Sequence, residues 1–214
     1  MLVAILLAAG DSRRMGRAKL ELELGGMSLV ARSLRNLLDA GVDLVRVVVA
    51  PRFNPSGLPE EIDAIDAERV AIVVNSDRDG GLSSSMRAGL RELPGDCEMI
   101  LVALADMPLV ETSTIRTLID TFDRHRASVV YPTFQGQQGH PVLFDASLAS
   151  ELFSVVADRG AKSVIERHRD AALAVEVDDA GVCLDVDTPE DFERAADLFE
   201  RRRARDAQSG GCPR

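Results

Sequence analysis

The chain is expected to be an α/β protein built on one mostly parallel sheet with helices on both faces. Three observations carry that expectation. Apolar runs of strand length alternate with segments of helical periodicity, the pattern of repeated strand–helix–strand units. The runs are apolar enough to be buried strands, and they are too short to span a membrane. The chain has 214 residues, which suits one sizeable domain with a real core.

The elements follow in order. Leu2 to Leu7 is a buried strand that breaks at Ala8-Ala9-Gly10 into a small-residue loop carrying Arg13, Arg14, Gly16 and Lys19. Ser28–Ala40, Leu58–Ala67, Leu82–Glu92 and Glu111–Arg126 show helical spacing, and Leu44–Ala50, Val70–Asn75 and Glu98–Ala105 are the intervening strands. Val129–Tyr131 and Pro141–Phe144 are short strands around a Gln/Gly segment, and Ser147–Phe153 and Lys162–Arg169 are helical. Ala172–Val177 and Val182–Val186 are expected as strands around the turn sequence Asp178-Asp179-Ala180-Gly181. Thr188–Ala204 closes the chain as a helix, with Thr188 as N-cap, Pro189 at its first position and Glu190 and Asp191 in its first turn. Residues 1–205 form the expected domain and 206–214 an expected flexible tail.

Composition excludes several classes. Net charge is −10, which argues against an extended polyanion such as DNA or RNA. The run Arg201-Arg202-Arg203-Ala204-Arg205 is read as a solvated last turn complementing the helix dipole. No membrane span and no signal peptide are expected. Cys97, Cys183 and Cys212 fit neither a disulfide framework nor a zinc site, and a reducing cytoplasm is the natural setting. His125 and His168 lie in charged helical stretches without ligand spacing.

A buried strand feeding a glycine loop with fixed cations is how an α/β domain holds a polyphosphate. The loop is not a Walker A motif, because five residues separate Gly10 from Gly16 and Arg17 follows. Ligands in such sheets sit beyond the carboxyl ends of the strands, so the Gly10 loop and the loop at Asp106 should open onto one edge. Asp106, in Ala105-Asp106-Met107-Pro108, stands at the end of an apolar strand, where a carboxylate is costly unless exposed or paired. Asp185 and Asp187 stand two apart and share one side if extended. Gly80-Gly81-Leu82-Ser83-Ser84-Ser85 enters a helix with three hydroxyls, more than one cap requires.

Leu7-Ala8-Ala9-Gly10-x-Ser12-x-Arg14-Met15-Gly16-x-x-Lys19 resembles the signature loop of the molybdenum cofactor nucleotidyltransferases, and the likeness extends in order to about Leu198. The resemblance implies a single-domain, Rossmann-like nucleotidyltransferase fold and Mg²⁺-dependent transfer of a nucleotide to an acceptor phosphate, with release of pyrophosphate. Lys19, Arg14 and Asp106 would be catalytic. Leu7, Ala8, Ala9, Gly10, Ser12, Arg13, Arg14, Gly16, Lys19, Asn75, Gly81, Ser83, Ser84 and Ser85 would bind the nucleotide, with Asp77 on the same rim. Asp106 and Asp187 would hold Mg²⁺, with Asp185 as rival to Asp187. Gly139, His140 and Lys162 would lie on the acceptor side, Gly139 and His140 either binding substrate or fixing their loop. Lys162 replaces the family's usual Arg, which loses bidentate geometry.

Ala9, where guanylyltransferases of this family carry a second glycine, favours the cytidylyltransferase branch, with CTP as donor and a molybdopterin-type acceptor. Alternatives are GTP, another acceptor phosphate, or a non-catalytic protein that binds the cofactor and delivers it to a molybdoenzyme or its chaperone.

Overall fold

The computed structural model describes residues 1–9, 19–53, 58, 64–77, 81–155 and 161–209. Ten strands and seven helices are described: β1 (Leu2–Ala8), β2 (Glu23–Leu24), β3 (Met27–Ser28), α1 (Leu29–Asp39), β4 (Leu44–Val49), α2 (Ala64–Ala67), β5 (Val70–Val74), α3 (Gly81–Leu90), β6 (Met99–Leu104), α4 (Thr112–His125), β7 (Val129–Phe134), β8 (Gln137–Gln138), β9 (Val142–Asp145), α5 (Ala149–Phe153), α6 (Lys162–Arg167), β10 (Ala172–Glu176) and α7 (Pro189–Ser209). The main sheet runs β10-β7-β9-β6-β1-β4-β5, with β8 paired to β7. The pairs β1–β4, β1–β6, β4–β5 and β7–β10 are parallel. Strand β9 is inserted antiparallel between β6 and β7. Among the described residues, no helix is long and apolar enough to cross a membrane.

Side-chain alternation along β1 builds two cores from one strand. Leu2, Ala4, Leu6 and Ala8 face the side covered by α1 and α4, where Leu34, Leu37, Ile115 and Leu118 pack. Ile5 and Leu7 face the side covered by α3, α5 and α6, with Met86, Leu152 and Val164. Every residue of β1 is therefore buried, which is why its sequence is uniformly apolar. A third, smaller cluster joins Leu22, Leu24 and Leu29 to Leu109, Val186 and Ala195 beneath α7.

Helix α1 is capped by Ser28, whose Oγ accepts from Ala31 N–H at 3.3 Å. Helix α7 starts with a reciprocal capping box. Thr188 Oγ1 accepts from Asp191 N–H at 3.2 Å, and Asp191 Oδ2 accepts from Thr188 N–H at 2.8 Å and from Asp187 N–H at 3.2 Å. Partial burial opposes ionisation of Asp191, but these bonds and Arg194 hold its carboxyl down to about 2.

The structure departs from the sequence pattern in four places. Strand β7 extends to Phe134. Helix α6 ends at Arg167 and gives way to a 3-10 turn at Arg169–Ala171. Residues 182–186 are not a strand. Ala180–Cys183 forms a 3-10 turn because Asp179 Oδ1 accepts from Gly181 N–H at 2.9 Å and winds the chain locally. Helix α7 runs to Ser209 rather than Ala204, and its arginines find carboxylates along it, such as Arg201 on Asp197 and Arg203 on Glu200.

Candidate active site

Strands β1 and β6 are neighbours, with Leu7 opposite Leu104 and Ala105 N–H donating to the Leu7 carbonyl at 3.0 Å. Both strands therefore end at the same edge of the sheet, and Asp106 stands there. Lys19 opens a 3-10 turn at Lys19–Glu21 and is pinned by its apolar neighbours. Leu20 joins the core under α1, and Leu22 joins the cluster under α7. The chain returns to this edge much later. Val186 is fully buried in the same α7 cluster, and its N–H donates to the Asp106 carbonyl at 2.9 Å. Burying a valine contributes roughly 1.5–3 kcal/mol, and here it also seats the next residue, Asp187, beside Lys19.

Lys19 Nζ donates to Asp106 Oδ2 at 2.8 Å and to Asp187 Oδ1 at 2.5 Å, joining residues 87 and 168 positions apart. Lys19 is only 5% exposed. Burial works against the ammonium, yet the two carboxylates outweigh it and raise the Lys19 pKa, so Lys19 is a cation at neutral pH. Asp106 Oδ1 is buried and has no hydrogen-bond partner among the described residues. Asp185 is exposed and takes no part in this cluster, so the two-residue spacing does not aim both carboxylates alike.

Leu7 and Ala8 are buried at the end of β1, and Ala9 packs toward the α3 side of the sheet. Helix α3 starts at Gly81, and Ser83, Ser84 and Ser85 are all buried. Asn75 Nδ2 donates to Ser84 Oγ at 2.8 Å and to Ser85 Oγ at 3.1 Å. Ser84 Oγ in turn donates to the Asp77 and Gly81 carbonyls, at 3.1 and 3.0 Å. The hydroxyls of Ser84 and Ser85 thus tie the segment after β5 to the first turn of α3.

Gly139 and His140 are held from below. Gly139 is buried, and a Cβ on it would lie 2.4 Å from the Val182 carbonyl oxygen, so only glycine fits. His140 N–H donates to that carbonyl at 2.9 Å. The His140 side chain lines a cavity of about 20 Å³ with Ser33, Leu104, Met107 and Ile115, and its Nδ1 is buried without a partner among the described residues. Burial pushes the imidazole below its usual pKa, against the pull of Asp106 and Asp185, so it is neutral at pH 7. Lys162 is exposed at the first position of α6 and forms no ion pair with the Asp106 cluster. Gly10, Ser12, Arg13, Arg14 and Gly16 lie outside the described residues.

One part of the structure looks in the sequence like no more than a turn and a solvated last helical turn. Asp179 is 1% exposed and accepts from Glu111 N–H and Thr114 Oγ1, each at 2.8 Å. Arg202 of α7 reaches Asp179 Oδ1 at 2.6 Å and the Leu109 carbonyl at 2.5 Å. Gly181 lies directly against Leu109, where a Cβ would meet the carbonyl oxygen at 2.0 Å. These contacts brace both ends of the segment that carries Asp187. The one sequence signal was an acidic residue two before a glycine, which looks like any turn. Asp179→Ala is expected to cost about 3–5 kcal/mol, because it removes at once the buried acceptor of Glu111 N–H, Thr114 Oγ1, Gly181 N–H and Arg202, leaving Arg202 only the Glu111 carboxylate, at 3.2 Å; urea unfolding followed by circular dichroism measures it.

Residues 4–173 match the family described as MobA-like NTP transferase domain. The chain is 28% identical over 197 residues to the purine catabolism protein PucB of Bacillus subtilis, covering 90% of this chain and 94% of that one. It is 25% identical over 200 residues to the molybdenum cofactor cytidylyltransferase of Escherichia coli, covering 91% and 95%. A nucleotidyl transferase from Methanothermobacter thermautotroptrophicus superposes with a TM-score of 0.77 at 25% identity, covering 94% of this chain and 99% of that one. With the family matched across most of the chain and a lysine–carboxylate cluster at the carboxyl edge of its sheet, the chain belongs to the MobA-like NTP transferase family and is a nucleotidyltransferase.

Proposed function

We propose that the protein transfers CMP from CTP to the phosphate of a molybdopterin-type acceptor and releases pyrophosphate. The observation that carries the reading is the joint placement of Lys19, Asp106 and Asp187 beside the end of β1. Likeness to a molybdenum cofactor cytidylyltransferase supports the donor and the acceptor.

The residues fit a hard divalent cation such as Mg²⁺. Asp106 and Asp187 already share one cation, the Lys19 ammonium, and Asp106 keeps a buried oxygen without a partner among the described residues. Among those residues no group of three or more candidate ligands occurs. Two carboxylates, with phosphate oxygens and water completing the shell, is the usual manner of holding Mg²⁺. When bound, the ion supplies charge stabilisation at the α-phosphate.

The chain's own residues do the rest. Lys19, with Arg14 and the backbone N–H groups of the loop from Gly10 to Gly16, binds the β- and γ-phosphates and stabilises the leaving pyrophosphate. Leu7, Ala8 and Ala9 bring the end of β1 against the nucleotide. Asn75, Gly81 and Ser83–Ser85 shape the base and ribose rim, with Ser84 and Ser85 acting through the loop they fix. The Ala9 methyl, on the same side of the sheet as α3, narrows that rim against a purine. Lys162 meets the acceptor, and Gly139 and His140 fix the neighbouring loop. An acceptor phosphate is ionised at pH 7 and attacks the α-phosphorus directly, forming the new P–O bond as the bond to pyrophosphate breaks. No protein base is needed, and burial that resists protonation of the His140 imidazole is consistent with that.

The test is pyrophosphate release with Mg²⁺ and a molybdopterin-type acceptor, comparing CTP, GTP, ATP and UTP. Release with CTP and little with GTP is the expected result. Release with GTP keeps the mechanism and removes the base assignment. Nucleotide binding without release, over a panel of acceptor phosphates, removes the catalytic reading in favour of a carrier.

A further inference from the structure

We infer that Lys19 is a latch on the metal site: its ammonium occupies the carboxylate pair until nucleotide phosphates draw it away, so that metal and nucleotide enter together. The inference rests on the assignment of Asp106 and Asp187 as the metal carboxylates.

The argument begins with what the two carboxylates hold. Lys19 Nζ lies 2.8 Å from Asp106 Oδ2 and 2.5 Å from Asp187 Oδ1, so it uses carboxylate lone pairs that a divalent ion held by these two residues would compete for. The ammonium is buried, and a buried charge is held tightly by its partners because water cannot replace them. A divalent ion arriving alone must therefore displace a paired cation or sit beside one, and both are unfavourable. Incoming triphosphate changes the balance, because it offers Lys19 new anionic oxygens and brings further ligands for the metal. Lys19 can make the exchange because its side chain is a flexible stem on a short turn, whereas its backbone is pinned by Leu20 and Leu22. Asp106 and Asp187 cannot follow it. Val186 N–H bound to the Asp106 carbonyl and Asp191 bound to the Asp187 N–H hold their backbones in place.

The coupling is reciprocal: if nucleotide relieves the carboxylate pair of Lys19, nucleotide and metal raise each other's affinity by the same factor, and removing the ammonium frees the pair when nucleotide is absent. The experiment is titration of Mn²⁺ into nucleotide-free protein, read by electron paramagnetic resonance and by the rise in melting temperature. Lys19→Met is expected to bind Mn²⁺ about tenfold more tightly than the wild type, within the ordinary range of coupling between sites. Its melting temperature should rise more on Mn²⁺ addition than that of the wild type. Lys19→Gln is a second neutral variant should the methionine prove insoluble, and Lys19→Arg, which keeps a cation there, should remain as weak as the wild type.

Equal Mn²⁺ affinity in wild type and Lys19→Met, abolished in both by Asp106→Asn, overturns the latch and leaves the carboxylate pair as the metal site. Mn²⁺ binding indifferent to Asp106→Asn in every background overturns the metal assignment and the latch with it.

Discussion

Asp106→Asn is expected to lower the rate of pyrophosphate release about 10²- to 10³-fold at saturating nucleotide, the scale on which removal of one electrostatic stabiliser acts. The substitution preserves the size and shape of the side chain, so the effect isolates charge. It removes a ligand charge from the proposed metal pair and one of the two anions that neutralise Lys19. The Val186–Asp106 backbone bond does not depend on the side chain, so the segment bearing Asp187 stays in place. A buried ammonium with one carboxylate instead of two makes the fold somewhat less stable, and raised Mg²⁺ should restore little of the activity. Single-turnover kinetics with a melting curve at the assay temperature separates the two effects. Unchanged turnover in a folded Asp106→Asn protein would remove the residue from the mechanism.

Lys19→Ala is expected to reduce kcat/KM for the nucleotide by about 10²–10³-fold, through both a lower kcat and a higher KM. In the proposed mechanism Lys19 binds phosphates in the ground state and stabilises the leaving pyrophosphate, so neither parameter should escape. Lys19→Arg should recover part of the KM effect and less of the kcat effect, because a guanidinium keeps the charge but not the point geometry. A variant with normal kcat and only a raised KM would confine Lys19 to binding. Steady-state kinetics with a coupled pyrophosphate assay distinguishes the patterns.

Lys19 and Asp106 were legible in the sequence for a physical reason. A cation after a strand and glycine loop, and a carboxylate ending an apolar strand, are both costly in a buried sheet unless they do something at its carboxyl edge. What they do to each other was not legible, because nothing local says that residues 87 positions apart form an ion pair. Only the family resemblance favours Asp187 over its rival Asp185 in the sequence: period-2 spacing would place both on one side of an extended chain, and residues 184–187 pair in no strand, with only Asp187 reaching Lys19. Local side-chain bonds from Asp179 and Asp191 overrode the β-propensity of Val182 to Val186.

Arg202 shows the same limit from the other side. Inside a run of arginines it looked solvated, yet its neighbours Arg201 and Arg203 are the exposed ones. Arg202 turns inward to Asp179 and Leu109 because it lies on the face of α7 that packs on the body of the protein. Three hydroxyls after Gly81 suggest a ligand-facing edge, and in the structure two of them fasten Asn75 and Asp77.

By itself, the sequence determined the α/β class, the buried parallel strand at the N-terminus, and the two residues after β1 and β6, Lys19 and Asp106, that meet in the structure. These follow from periodicity and from the cost of burying charge, both of which act over a few residues. Only the tertiary structure decided that β9 enters antiparallel beside β6, that Asp187 rather than Asp185 completes the cluster, and that Asp179 and Arg202 brace the segment carrying it. Those outcomes depend on which buried surfaces meet across distant parts of the chain: Val186 shares a buried cluster with Leu22, Leu24 and Leu29, and Asp187 pairs with Lys19, both joining the last quarter of the protein to the first.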